Sequence, residues 1–177
     1  MTSPRILLLP GWQNSGPGHW QSLWEDQFGD LRVEQHDWML PLRGDWISRL
    51  EDVVQQQNGP VLLAAHSLGC HLVAAWAAVS PSTAKVQTAL LVAPPDVARA
   101  DLPPQLHRWT QPVLQALPFP STLVASTDDP FSTLDAAAQL AAHWGATLYN
   151  IGPHGHINAE SGLGDWPQGR ALLLNPQ

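Results

Sequence analysis

Short apolar runs alternate with stretches of helical periodicity along the whole chain. Five runs predict strands: the buried aliphatic runs Arg5–Pro10 and Pro60–His66, the aliphatic run Thr88–Ala93, and Thr122–Ser126 and Thr147–Ile151. A weaker alternation of apolar and polar positions over Arg32–Trp38 predicts a further strand. The runs are aliphatic throughout, as expected for strands buried on both sides of a parallel sheet.

Apolar residues with helical spacing predict five helices: Trp20–Phe28, Asp45–Gln57, Leu68–Val79, Thr133–Trp144 and one near Trp166–Leu174. We expect Asp45 to cap the second helix, whose apolar face is formed by Trp46, Leu50, Val53 and Val54. Residues 96–120 are rich in proline and are assigned to no element. Strands that alternate with helices predict an α/β fold, with a mostly parallel sheet flanked by helices on both faces. No clear boundary divides the chain, so a single domain over residues 1–177 is expected.

Composition and charge exclude several classes of function. Eight basic and 15 acidic residues give a net charge of −7, which argues against nucleic acid and anionic membranes as partners. No apolar run approaches the ~20 residues of a membrane span, and the apolar run at the N-terminus is too short for a signal peptide. Cys70 is the only cysteine, so an internal disulfide is impossible and a cytoplasmic location is expected.

The segment "AAHSLGC", residues 64–70, places Ser67 where a strand ends and a helix begins. In the nucleophile elbow of serine hydrolases, usually G-x-S-x-G, the positions two before and two after the serine must be small because the turn is tight. Ala65 and Gly69 meet this condition. Ser67 is therefore either a helix cap or a nucleophile, with the backbone N–H of Leu68 available to a developing oxyanion.

An elbow hydrolase needs an acid and then a histidine later in the chain. The loop "IGPHGHINAE" follows the last predicted strand and offers His154 and His156; the second has the glycine before it and the apolar residue after it that such enzymes use. The segment "LVASTDDPF" offers Asp128 and Asp129, of which the second, directly before proline, fits better. Asp96 is a fallback acid one strand earlier.

The glycine-rich loop "LPGWQNSGPGHW" follows the first strand, where a hydrolase carries its second oxyanion donor. Trp12 is the expected donor through its backbone N–H, and Gln13 is the neighbouring alternative. The loop lacks the Walker pattern of a P-loop and the spaced glycines of a dinucleotide fold.

Several side chains near the predicted loops are candidates for a substrate pocket. Gln13, His66 and Trp38 are the expected substrate-binding residues, although His66 can equally be a packed polar residue. Further tryptophans near loops, Trp12, Trp20 and Trp24, are candidates for the same wall. Residues 96–120 are a candidate for the rim.

A zinc site is a rival interpretation of the histidines. His154 and His156, with His66 or His71 and an aspartate, supply possible ligands. No compact ligand motif supports such a site, so we expect neither a metal nor another cofactor.

With "LLLPGW", "HSLGC", "STDDPF" and "GHIN" in this order, the chain resembles the small serine hydrolases grouped with retinoblastoma-binding protein 9 and the bacterial YdeN-type proteins. The resemblance spans nearly the whole chain. It implies a compact α/β-hydrolase fold without a large lid domain, and Ser67, Asp129 and His156 as the catalytic triad. Many relatives have an aromatic residue where this chain has Ile157, a change that we expect to alter the pocket wall.

The sequence therefore predicts a serine hydrolase that cleaves a small ester through an acyl-serine intermediate, with no cofactor. A thioesterase, amidase or acyltransferase with the same triad is an alternative. So is an interaction protein that keeps the fold without the activity, because a fold does not dictate a function.

Overall fold

The computed structural model describes residues 3–176 of the chain. Six parallel strands form one open sheet in the order β2-β1-β3-β4-β5-β6. The strands are β1 (Arg5–Leu9), β2 (Leu31–Arg32), β3 (Val61–His66), β4 (Val86–Val92), β5 (Ser121–Ser126) and β6 (Thr147–Gly152). The five α-helices are α1 (Trp20–Phe28), α2 (Arg43–Gln56), α3 (Leu68–Ala77), α4 (Leu134–Trp144) and α5 (Pro167–Leu174). The predicted parallel α/β fold is confirmed.

Helices cover both faces of the sheet because successive strand residues point to opposite sides. In β1, Leu7 and Leu9 pack into the core beneath α2, α3 and α4. Ile6 and Leu8 pack into the second core, which α1 and α5 cover. Both cores are thus built from aliphatic strands, as expected. The expectation of burial on both sides is wrong for β6, an edge strand in which residues 147–150 are exposed.

The expected strand over Arg32–Trp38 is wrong in extent, since β2 contains only Leu31 and Arg32. Leu31 pairs with Leu7, so β1 has only two more residues before it ends at Leu9. The segment after β2 therefore leaves the sheet near the point where its neighbouring strand, β1, ends.

Two helix ends also differ from the prediction. The second helix begins at Arg43, so Asp45 lies in its first turn and does not cap it. Asp45 is still well placed there, because a negative charge near a helix N-terminus is favourable. The third helix ends at Ala77, two residues before the predicted Val79.

Residues 96–120 contain one short 3₁₀ helix, Pro104–Trp109, within an irregular course. Leu106 and Trp109 anchor this segment in the core beneath α2 and α3. Trp109 also donates a hydrogen bond from Nε1 to the carbonyl oxygen of Pro41 at 2.8 Å. The segment after β4 is therefore held against the body of the protein by a few buried anchors.

Candidate active site

Ser67 lies at the sharp turn between β3 and α3, at the carboxyl end of the central strand. Its backbone has φ 55° and ψ −124°, an unfavourable conformation for a residue with a side chain. Its side chain makes no capping hydrogen bond to α3, so it does not act as the helix cap that the sequence also allowed. Its backbone N–H donates to the carbonyl oxygen of Val92 at 2.8 Å, which fixes the turn to β4.

The two glycines beside this turn allow the backbone to pack closely. A Cβ at Gly69 would collide with the carbonyl oxygen of Leu9, so α3 can begin directly against the end of β1 only with glycine there. A Cβ at Gly11 would lie 3.0 Å from both the Leu68 nitrogen and the Ser67 Cβ. These contacts bring the loop after β1 against the serine.

The structure brings Ser67, His156 and Asp129 into one hydrogen-bonded chain. Ser67 Oγ lies 2.9 Å from His156 Nε2, and His156 Nδ1 lies 3.0 Å and 3.1 Å from the two carboxylate oxygens of Asp129. A carboxylate only accepts, so Nδ1 carries the proton and Nε2 is free to accept from the serine hydroxyl. The Asp129 side chain is 3% exposed and also accepts from the Phe131 backbone N–H.

The alternative acids and the second histidine take no part in the hydrogen bonds that join Ser67, His156 and Asp129. Asp128 is exposed and accepts from the Ser126 hydroxyl and the Gly155 N–H, so it holds the loop after β6. Asp96 accepts from the Ala98 N–H. His154 donates its backbone N–H to Ser126, and its Nδ1 is buried without a hydrogen-bond partner among residues 3–176.

The hydrogen bonds of the loop after β1 distinguish between the two candidates for the second oxyanion donor. The Gln13 N–H donates to the carbonyl oxygen of Trp38 at 3.0 Å and is therefore occupied. The Trp12 N–H has no backbone acceptor among the described residues. The Leu68 N–H is at the first position of α3, where helical geometry provides no acceptor. Both groups border the same cavity as Ser67.

This cavity has a volume of about 480 Å³ and opens over Ser67. Trp12, Gln13 and His66 border it, together with residues that the sequence analysis did not single out: His19, Arg99, Leu102, Phe131 and Asn158. Of these, His19 lies in the glycine-rich loop that the sequence did mark. Arg99 and Leu102 belong to residues 96–120, the segment that the sequence analysis offered as a rim. Phe131 and Asn158 come from two other loops, where no local pattern indicates a shared wall.

The expectations for four residues of the pocket wall are wrong. The ring of Trp38 packs edge-on against Trp46, with 5.5 Å between ring centroids, and does not border the cavity. Its backbone contributes instead, by accepting from Gln13. Ile157 is fully buried in the core beside α1 and α5, so it shapes the core and not the pocket. Trp20 and Trp24 are likewise core residues.

Burial keeps the neighbouring titratable side chains uncharged. It lowers the pKa of His19 from 6.5 to about 3, with smaller effects from Arg32 and His156. Burial, and then the charges of His19 and His156, lowers the pKa of His66 well below its ordinary value. Burial likewise raises the pKa of the Cys70 thiol on α3. None of these three groups gains a carboxylate partner of the kind that His156 has.

Within residues 3–176, no group of three or more histidine, cysteine or acidic side chains has the arrangement of a metal site. In the same residues, no helix combines the length and hydrophobicity that a transmembrane segment needs.

A family model described as serine hydrolase matches residues 6–175. The chain belongs to this serine hydrolase family. The resemblance to YdeN-type proteins is confirmed as well. A protein described as a YdeN-like hydrolase from Pectobacterium atrosepticum is 29% identical, with a TM-score of 0.80 over 97% of this chain and 90% of that one.

More distant structures share the fold of this serine hydrolase. The ydeN gene product of Bacillus subtilis is 18% identical, with a TM-score of 0.76 and 97% of each chain covered. The carboxylesterase CesB of the same organism is 15% identical, with a TM-score of 0.65 over 99% of this chain and 85% of that one. A comparison with curated protein sequences found no match.

Proposed function

We propose that this serine hydrolase is an esterase that cleaves small carboxylic esters through an acyl-serine intermediate. Ser67 is the nucleophile, His156 the general base and acid, and Asp129 the group that orients and stabilises the imidazolium. The observation that carries the proposal is the continuous contact from Asp129 through His156 to Ser67, with 2.9 Å between His156 Nε2 and Ser67 Oγ.

In the first half of the reaction, Ser67 Oγ forms a bond to the ester carbonyl carbon while its proton passes to His156 Nε2. The carbonyl oxygen becomes an oxyanion, which accepts from the backbone N–H groups of Leu68 and Trp12. Collapse of this intermediate breaks the bond to the alcohol oxygen. The leaving alcohol takes the proton from His156 Nε2, and the acyl group remains on Ser67.

In the second half, water attacks the acyl-serine carbonyl carbon and gives a proton to His156 Nε2. Collapse then breaks the bond to Ser67 Oγ, which regains the proton, and the carboxylic acid is released. The same backbone donors stabilise both oxyanions, and the loss of one such donor typically costs about 3 kcal/mol in the barrier.

The cavity suits a small substrate, because about 480 Å³ lies within the range of ordinary small-molecule sites. Gln13 borders it and is the proposed substrate contact from the loop after β1. His66 also borders it, but both of its ring nitrogens are engaged in hydrogen bonds within the protein, so we assign it no substrate contact. The apolar wall from the segment after β4 includes Leu102 and Pro103. We assign the acyl group to this wall.

Labelling with a fluorophosphonate probe tests the nucleophile. The wild-type protein should be labelled, and Ser67→Ala should not. Ser48→Ala is the matched control, because Ser48 is exposed on α2. A wild-type protein that is folded but unlabelled would contradict the proposal and favour an interaction protein that keeps the hydrolase fold.

A substrate panel tests the bond that is cleaved. Among an ester, a thioester and an amide with the same acyl group, the ester should be hydrolysed with the highest kcat/KM. Faster turnover of the thioester or the amide, or transfer of the acyl group to an added alcohol, would replace the esterase assignment.

A further inference from the structure

Two buried histidines that the proposed reaction does not use lie behind His156. His19 is 4% exposed and His66 is 5% exposed. His19 Nε2 lies 3.3 Å from His66 Nδ1, and His66 Nε2 lies 2.8 Å from the carbonyl oxygen of His156. The two rings, named here the buried histidine pair, therefore connect the loop after β1 to the backbone of the catalytic histidine.

The hydrogen bonds of this pair require a single arrangement of protons. His19 Nδ1 accepts from the Gln21 N–H, so the proton of the neutral His19 ring is on Nε2 and is donated to His66. The carbonyl oxygen of His156 only accepts, so the proton of the neutral His66 ring is on its Nε2 and its Nδ1 is free to accept from His19. Every ring nitrogen of the pair is thus satisfied with both rings neutral.

A second buried donor binds the next carbonyl group of the same loop. Trp20 Nε1 donates to the carbonyl oxygen of Ile157 at 3.1 Å. His66 and Trp20 therefore hold two successive peptide groups, those that follow His156 and Ile157. The rings of His19 and Trp20 also contact each other, with 5.4 Å between their centroids.

These donors bind a part of the backbone that is strained. Ile157 has φ 51°, a left-handed conformation that is rare for a β-branched residue. Such a conformation is unfavourable and persists only when surrounding contacts fix it. The residue directly before it is His156, so any relaxation at Ile157 would move the imidazole relative to Ser67.

We infer that His66 and His19 are positioning residues, which hold the backbone of His156 so that its imidazole stays in line between Asp129 and Ser67. This inference rests on the proposed function. The two residues do not touch the reacting atoms through their hydrogen bonds; they act through the carbonyl group of His156. The low pKa values of both rings support the role, because the pair then keeps its hydrogen bonds throughout the neutral pH range.

Glutamine and asparagine separate the contacts of each ring, because a glutamine amide reaches as far as Nε2 of histidine and an asparagine amide only as far as Nδ1. His66→Gln keeps a donor for the carbonyl of His156, whereas His66→Asn loses it. His19→Gln keeps a donor for His66, whereas His19→Asn keeps only the acceptor that caps α1 at Gln21. Each glutamine variant is thus the matched control for the asparagine variant.

The experiment measures kcat and KM with a short-chain ester, and the low-field proton resonance of the His156 Nδ1–H bound to Asp129. Both asparagine variants should lose kcat by 10-fold to about 100-fold, the usual cost of displacing a reacting group by about 1 Å. Their KM should change little, and the resonance should shift or broaden. Both glutamine variants should retain kcat within a few-fold and keep the resonance.

Two results would overturn the inference. One is that the asparagine variants keep both kcat and the resonance. The other is that asparagine and glutamine variants lose activity equally and in proportion to a lower Tm, because the histidines would then only fill the core. Failure of the wild-type protein to react with a fluorophosphonate would contradict the proposed function alone, since the resonance would still report whether the pair positions His156.

Discussion

Two regions of very different construction meet over Ser67. On one side, the loops of residues 11–19 and 152–161 are held by buried or partly buried hydrogen bonds that fix His156 and its neighbours. On the other side, the segment Pro95–Leu106 presents proline and leucine to the cavity, together with three charged side chains, and is tied to the loop after β5 at few points. Those ties include the Asp96 N–H to Phe131 and Arg99 to the carbonyl oxygen of Pro130.

The difference separates reactivity from selectivity. A fully satisfied buried polar network is rigid and tolerates little change, so the first side suits atoms that must be placed accurately. Apolar walls discriminate between substrates by modest free energies per methylene group. The second side therefore suits substrate choice, and we call it the selectivity side. We therefore expect substitutions on the first side to lower kcat, and substitutions on the second side to change KM.

The largest effect is expected at the acid. Asp129→Asn removes the charge that stabilises the imidazolium and favours the wrong tautomer of His156, which should lower kcat by about 10⁴-fold. Asp128→Asn is the matched control, because its carboxylate binds only Ser126 and Gly155 and should cost far less. Steady-state hydrolysis of one ester by both variants makes the comparison. Equal losses would remove Asp129 from the triad.

The second effect concerns stability at acidic pH. Burial lowers the pKa of His19 to about 3, of His71 to about 4, and of His66 well below 6.5. Between about pH 6.5 and pH 4 the unfolded chain therefore binds more protons than the native protein, and the free energy of unfolding falls as the pH falls. Each buried histidine contributes up to about 1.4 kcal/mol per pH unit. Urea unfolding across this range measures the slope.

Replacement of one buried histidine should make the pH dependence of the free energy of unfolding less steep, by up to about 1.4 kcal/mol per pH unit. His71→Gln is informative, because His71 donates to the carbonyl oxygen of Pro95 on the selectivity side and belongs to neither the triad nor the buried histidine pair. An unchanged slope in this variant would mean that His71 becomes protonated in the native protein.

Several features of the fold and of the candidate site could be predicted from the sequence, because they depend on local rules. Small residues two before and two after Ser67 predicted the turn between β3 and α3, and the structure has it. The roles of Ser67, Asp129 and His156 stay predictions, but their contact follows from strand ends that share one edge of a parallel sheet. Aliphatic runs at β1, β3, β4 and β5 were enough to predict the centre of that sheet.

Other features depend on contacts between distant residues. The sequence favoured Trp12 and left Gln13 as an alternative, and the carbonyl group of Trp38, 25 positions beyond Gln13, distinguishes them. The weak alternation after Arg32 predicted a long strand there. The short β1 beside it limits β2 to two paired residues, and no local pattern in residues 32–38 shows this. Ile157 was expected at the pocket, but its left-handed backbone turns it into the core.

A smaller effect is expected on the selectivity side. Leu102→Ala removes part of the apolar wall and should raise KM about tenfold for an ester whose acyl chain reaches it, equivalent to about 1.4 kcal/mol. Its kcat should change little, because the triad is untouched. Leu114→Ala is the control, since Leu114 is exposed and does not border this cavity. A loss confined to kcat in Leu102→Ala would contradict the division between the two sides.

The smallest effect concerns charge. Asp96 and Asp101 border the cavity. Among residues 3–176, Arg99 is the only guanidinium there, and it is bound by both carboxylate oxygens of Asp101. The wall therefore disfavours an anionic acyl group. Asp96→Asn should raise kcat/KM for a dicarboxylic monoester by a few-fold relative to a neutral ester of equal length, and salt should reduce the difference because the charges are partly exposed. A large loss with the neutral ester would instead make Asp96 the acid of the triad.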